Sequence, residues 1–166
     1  MLIEKLNARF GAEILAAESA RGEETILVSR DRATEILGAL CSEPEFVFNF
    51  LSDLTAVDWP ERTPRFEVIY HLRSLTKGHC LRVKVGVDGT NPWAHSVAGI
   101  WKAADWLERE CFDMFGIRFE GHPDLRRILM YDSFVGHPLR KDYPYQRRQP
   151  IVEEVDPITH PRRPSR

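Results

Sequence analysis

Apolar positions recur at near-helical spacing from the first residues, where Leu2, Ile3, Leu6 and Phe10 share one side and Gly11 offers a left-handed stop. Thr25–Ser29 is β-branched and apolar and reads as a strand. Ser29 or Asp31 then caps a second helix, whose stripe is Ala33, Ile36, Leu37 and Leu40 and which Pro44 stops. From Phe46 the pattern is extended, through Leu51, Leu54, Val57 and Trp59 to Pro60. Phe66–Leu72 and Leu81–Val87 are the clearest strands, and the second alternates apolar with polar or glycine, so one face is buried and one is wet. The link over 73–79 is too short for a crossover helix, which predicts an antiparallel hairpin. After Pro92 the period turns helical across 101–115, with Ala104, Leu107, Cys111 and Met114 or Phe115 on one side. Asp105 and Arg109 stand four apart there in the stabilising order, and Gly116 ends the helix. The fold class that follows is α+β, with helices packed on a mainly antiparallel or mixed sheet.

Composition narrows the classes of function. The 166 residues carry a formal charge of −2, which gives no bulk attraction to nucleic acid. The apolar share of 43% is ordinary for a globular domain and sufficient for one core. The apolar run over 46–51 is far shorter than the roughly 20 residues of a membrane-spanning helix. The N-terminus has no apolar stretch of the signal-peptide kind, so a cytoplasmic address is expected. Cys41, Cys80 and Cys111 are too scattered for a disulfide framework, a structural zinc site or an iron–sulfur cluster, and are expected as buried small hydrophobes. Six of the eleven prolines fall in residues 138–166, with seven basic residues against four acidic. The chain therefore divides into a domain over 1–137 with a net charge of −5 and a tail over 138–166 with a net charge of +3. That proline density predicts an extended path outside the core, and the charge contrast points to a protein partner gripped by the tail.

The densest chemistry lies between Glu108 and Arg127. Glu108, Glu110 and Asp113 share one short helix, and paired carboxylates can act as general acid and base. Arg109, Arg118, Arg126 and Arg127 are interleaved with them, which favours an ion-pair network over catalysis. Gly-His-Pro occurs twice, as Gly121-His122-Pro123 and Gly136-His137-Pro138, each followed by a basic pair, Arg126-Arg127 and then Arg140-Lys141. With Asp124 or Asp132 the two histidines form a conceivable metal site and thus a small independent metalloenzyme. The simpler reading is a rigid turn whose histidine bonds a neighbouring backbone group. Phosphate-cradling glycine motifs and the nucleophile elbow do not occur.

Three runs, Glu108–Gly116, Phe119–Leu129 and Phe134–Pro144, closely resemble the 30 kDa (C-type) subunit family of NADH-quinone oxidoreductase, respiratory complex I. Weaker likeness extends to Leu51–Asp58, Phe66–Leu72 and the stretch from Ser96 through Trp106. Where that family is expected to carry Tyr or Trp after the Glu-Arg-Glu triplet, this chain has Cys111-Phe112. The resemblance implies a peripheral-arm subunit without a catalytic centre or cofactor of its own, FMN and the iron–sulfur clusters residing on partner subunits. It implies packing against the D-type, quinone-site subunit of the complex and neighbouring iron–sulfur subunits, on the cytoplasmic side of the cell inner membrane, with the tail running along the partner. The motif positions it marks as interface are Glu108, Arg109, Glu110, Asp113, Gly116, Gly121, His122, Pro123, Arg126, Arg127, Gly136, His137, Pro138, Arg140, Lys141 and Asp142. Homologous subunits of membrane-bound hydrogenases or of formate- or ferredoxin-linked complexes are the alternative within the same resemblance.

Overall fold

The structure, a computed structural model, describes residues 2–146, 148 and 149. Along the chain it runs α1 (Leu2–Phe10), β1 (Ile14–Ala20), β2 (Glu23–Val28), α2 (Arg30–Ser42), β3 (Phe50–Asp58), β4 (Phe66–Arg73), β5 (Cys80–Val87), β6 (Trp93–His95), α3 (Ala104–Phe115) and β7 (Arg118–Glu120). The first five strands form one sheet in the order β1-β2-β5-β4-β3, while β6 and β7 pair in parallel as a second, two-stranded sheet. Every neighbouring pair in the large sheet is antiparallel except β2 and β5. The class is α+β with a mixed sheet.

The alternation in β5 places Leu81, Val83, Val85 and Val87 in the core and Arg82, Lys84 and Gly86 on the outer face. Its predicted hairpin with β4 forms in full, Leu72 facing Leu81 and Phe66 facing Val87. The stripe of α2 joins the same core, as do Leu6 and Phe10 of α1 and the inward residues Phe46 and Phe48. α3 packs on β3, and its buried side carries Ala104, Cys111, Met114 and Phe115. Among the described residues, no helix is long and apolar enough to cross a membrane.

The structure departs from the pattern in ways that have physical causes. β1 is exposed along nearly its whole length, so no buried alternation marks it in the sequence. It is held to β2 by the two-residue turn Arg21-Gly22, both with positive φ, the geometry that suits strand twist. Gly11 is not left-handed; it is there because a Cβ at that position would lie 2.5 Å from the Asn7 carbonyl oxygen. A bulge between Leu51 and Asp53 shifts the phase of β3, so Leu54 and Ala56 face inward with Leu51, and Val57 does not. Ser29 precedes α2 but makes no capping hydrogen bond with its side chain. α3 begins at Ala104 rather than 101, because Trp101 belongs to the preceding turn and donates its indole N–H to the Phe48 carbonyl at 3.1 Å. Of the cysteines Cys111 is buried, Cys41 is half-buried, and Cys80 is exposed because it opens β5 on the outward-facing row.

Candidate functional site

Two fully buried carboxylates on α3 organise the loops that follow it. Asp113 takes an ion pair from the Arg127 guanidinium at 2.6 Å through Oδ1. Its Oδ2 accepts the amides of Ile128, Leu129 and Met130 at 3.1, 2.8 and 2.8 Å. Burial pushes this carboxyl up, but the amides of Met130 and Leu129, the guanidinium and the Ile128 amide together outweigh it and hold the pKa below the ordinary value. Arg127 also donates to the Phe134 and Gly136 carbonyls, at 3.0 and 3.1 Å, and so gathers the whole loop 127–136 around one charge pair. Arg109 secures its near end by donating to the carbonyls of Arg126 and Arg127.

Glu108 sits one turn earlier and, among the described residues, pairs with no arginine. Its carboxylate accepts the Ser96 hydroxyl at 2.6 Å and the Val97 amide at 2.7 Å, which pins the chain between β6 and α3. Burial raises its pKa, and those two donors together with nearby His122 offset the rise only in part. His122 Nε2 lies 4.0 Å from Glu108 and donates to the Asp105 carbonyl at 3.0 Å, while its Nδ1 accepts the Asp124 amide. His137 likewise donates from Nδ1 to the Asp113 carbonyl at 2.9 Å. Each Gly-His-Pro turn thus bonds backbone of α3, at positions eight residues apart, about 12 Å along a helix axis. That separation prevents the two histidines from sharing one metal ion, and both ring nitrogens of His122 are already engaged.

Gly116 closes α3 in the left-handed conformation, φ 78°, with its amide donating to Phe112. A Cβ there would also come within 2.7 Å of the His137 ring. Gly116→Ala is expected to cost at least about 1–2 kcal/mol from the backbone conformation alone, read as a lower urea midpoint at unchanged slope. An unchanged midpoint would contradict the tight seat of His137.

A third buried carboxylate, Asp58 at the end of β3, receives Arg65 in bidentate fashion at 2.7 and 2.8 Å and the Lys141 amide at 2.8 Å. Arg65 holds this carboxyl below its ordinary pKa, with the Lys141 amide assisting. Arg65 reaches on to Asp142 at 2.9 Å, and Arg140 grips Asp142 through two further bonds of 3.0 Å. The first residues of the tail are therefore tied to the body, Leu139 also donating to the Met114 carbonyl at 3.1 Å. Residue 147 and residues 150–166 of the expected tail lie outside the described residues.

The remaining motif positions fall around this frame. Glu110, Arg126, Pro123 and Lys141 are exposed, Pro138 is half-buried, and Gly121 and Gly136 take positive φ in their turns. The fold adds Asp58, Arg65, Ser96 and Val97 to the site; Asp58, Ser96 and Val97 lie in the stretches of weaker likeness, and Arg65 lies outside them. One of them carries a signal: the inward phase of Leu54 and Ala56 puts Asp58 inward too, and a buried carboxylate demands a cation. Leu129, Tyr131, Val135, Leu139 and Tyr145 stand out from this clamped segment, each between 41% and 90% exposed. The clefts of about 460 and 480 Å³ elsewhere, beside α1 and along β1–β2, share no residue with it. Around the three buried carboxylates, Asp58, Glu108 and Asp113, whose oxygens are met by donors, the segment presents an exposed apolar surface.

The pattern of the respiratory-chain NADH dehydrogenase 30 kDa subunit family matches residues 26–149. The chain belongs to that family. Within the 30 kDa subunit family, the C-type subunit of the NADH-quinone oxidoreductase of Citrifermentans bemidjiense is 45% identical over 144 residues, 87% of this chain and 88% of that one. Its counterpart from a Roseiflexus species is 47% identical over 143 residues, 86% of this chain and 82% of its own length. A solved structure of the trypsin-resistant fragment of Nqo5 superposes with a TM-score of 0.65 at 34% identity, covering 75% of this chain and all of the fragment. The membrane-bound sulfane sulfur reductase, an archaeal respiratory membrane complex, contains a chain that aligns with a TM-score of 0.72 over 94% of this one and 96% of its own length. Identity there is 23%, so that likeness is one of fold.

Proposed function

We propose that this member of the 30 kDa subunit family is a structural subunit of the peripheral arm of NADH-quinone oxidoreductase, acting in assembly rather than in catalysis. Relatives at 45–47% identity over more than four fifths of the chain are named as the C-type subunit of that enzyme, which supports the parent complex. The observation that carries the docking role is the concentration of exposed apolar side chains on the clamped segment 129–145. Apolar and aromatic groups rimmed by charge, here Arg126, Lys141 and Asp142, are what a protein interface presents. In this reading the partner is the quinone-site subunit, with iron–sulfur subunits nearby, on the cytoplasmic side of the membrane. FMN and the clusters sit on those partners, and the C-terminal tail continues along them.

Arg127→Ala is expected to lower the yield of assembled, quinone-reducing complex recovered from solubilised membranes, because the loop bearing Leu129, Tyr131 and Val135 loses its central cation. Leu139→Asp, at an exposed position, is expected to do so without altering the unfolding midpoint of the purified chain. Wild-type amounts of active complex from both variants would sink the docking role. The identities of the co-purified chains report the parent complex, since a hydrogenase or formate-linked assembly brings a different set.

A further inference from the structure

We propose that the clasp of Asp58, Arg65, Asp142 and Arg140 holds the segment from Leu139 to Tyr145 in place against the body, making Asp58 and Arg65 positioning residues for partner docking. The inference rests on the docking role above and adds how that surface is held ready. Asp58 is 3% exposed, and burying a carboxylate is costly unless its oxygens are paired. Two of its three bonds come from Arg65 across the β3–β4 turn, and the third from the Lys141 amide, 83 residues away in sequence. The segment thereby completes the coordination of a charge the body has already buried. The third guanidinium nitrogen of Arg65, Nη1, then takes Asp142, which Arg140 also grips, and both guanidinium groups lie over the Phe66 ring at 5.1 and 5.2 Å.

Downstream of the clasp the chain folds back. Tyr143 stacks on Phe134 at 6.1 Å, and the Gln149 amide exchanges two bonds of 3.1 Å with the backbone of Val135. Leu139 and Tyr145 flank the clasp on either side in sequence and are 51% and 90% exposed. A segment fixed in this way has less freedom to lose when a partner captures it, and affinity rises accordingly.

The test uses the purified full chain and the co-expressed complex. Asp142→Ala removes the bridge at a position exposed enough to spare the fold, and Asp58→Asn removes the buried charge itself. Arg82→Ala, which breaks an ion pair with Glu23 on the far face of the sheet, is the control. Trypsin cleavage after Arg140 and Lys141 follows the population of the locally opened segment. Both clasp variants are expected to be cut there at least about tenfold faster than wild type or the control, with the body intact, and to give less assembled complex. Cleavage no faster than in the control overturns the clasp. Faster cleavage with full assembly, where a chain ending at residue 149 fails to assemble, overturns the positioning role and leaves docking standing. Full assembly by that shortened chain and by Leu139→Asp overturns the docking role itself.

Discussion

Asp113→Ala is expected to lower the unfolding free energy by about 3–5 kcal/mol at neutral pH, the usual cost of removing one partner from a buried pair. The loss has two parts. Arg127, whose side chain is 16% exposed, is left without its carboxylate, and the amides of residues 128–130 lose their shared acceptor. Because the folded pKa of Asp113 lies below its unfolded value of about 4, the ionised group contributes its full stability above that value and loses it as pH falls through the folded pKa. The deficit of the variant should therefore be widest at pH 7 and narrow in acid. Urea unfolding followed by circular dichroism at pH 7 and at pH 3 measures both, and a variant within about 1 kcal/mol of wild type at pH 7 would sink the account.

Glu108 should show the opposite sign. Glu108→Ala opens a cavity and strands the Val97 amide, at a cost of roughly 2–4 kcal/mol. Glu108→Gln keeps a carbonyl for Val97 and an amide for Ser96 while removing the charge. The folded pKa of Glu108 is raised, chiefly by burial, so its favourable contribution is complete below the unfolded value of about 4.3 and lost as pH rises through the folded one. Relative to wild type, the glutamine variant should gain stability as pH climbs through that window. Asp105 and His122 face the same carboxylate, so the difference reports Glu108 together with its coupling to these two neighbours. Stability curves for the two proteins that run parallel from pH 4 to pH 8 would contradict it.

The contrast between these carboxylates shows what a sequence can and cannot carry. Three acids on one short helix interleaved with arginines suggest a shared ion-pair network, but Asp113 takes an arginine while Glu108 takes a hydroxyl and an amide from the turn before α3. Residue type does not encode which way a helical side chain faces, and Ser96 and Val97 advertise nothing by themselves. β5 is readable because one of its faces is apolar throughout, whereas β1 buries almost nothing and leaves no period to detect. Asp58 shares the inward phase of Leu54 and Ala56 that follows the bulge in β3, but that phase says nothing of which cation meets it. The pairing of Arg65 with Asp142 spans 77 residues, a distance over which spacing holds no information. The two Gly-His-Pro turns are legible in kind, since a histidine between glycine and proline has backbone close at hand, and both do bond α3.

The single parallel seam, β2 beside β5, bears on the order in which the protein is made. β3, β4 and β5 follow one another through short connections and can assemble from contacts close in sequence, but Thr25 meets Arg82 across 57 residues. As the chain leaves the ribosome, the β1–β2 ribbon emerges well before β5, and a two-stranded ribbon by itself is marginal in water. It holds Ile26 and Val28 uncovered until β5 has been synthesised. Within the large sheet the earliest-made strands thus wait for the latest-made one, and the newborn sheet is most exposed to misassociation in the interval before Val85 comes to lie beside Val28.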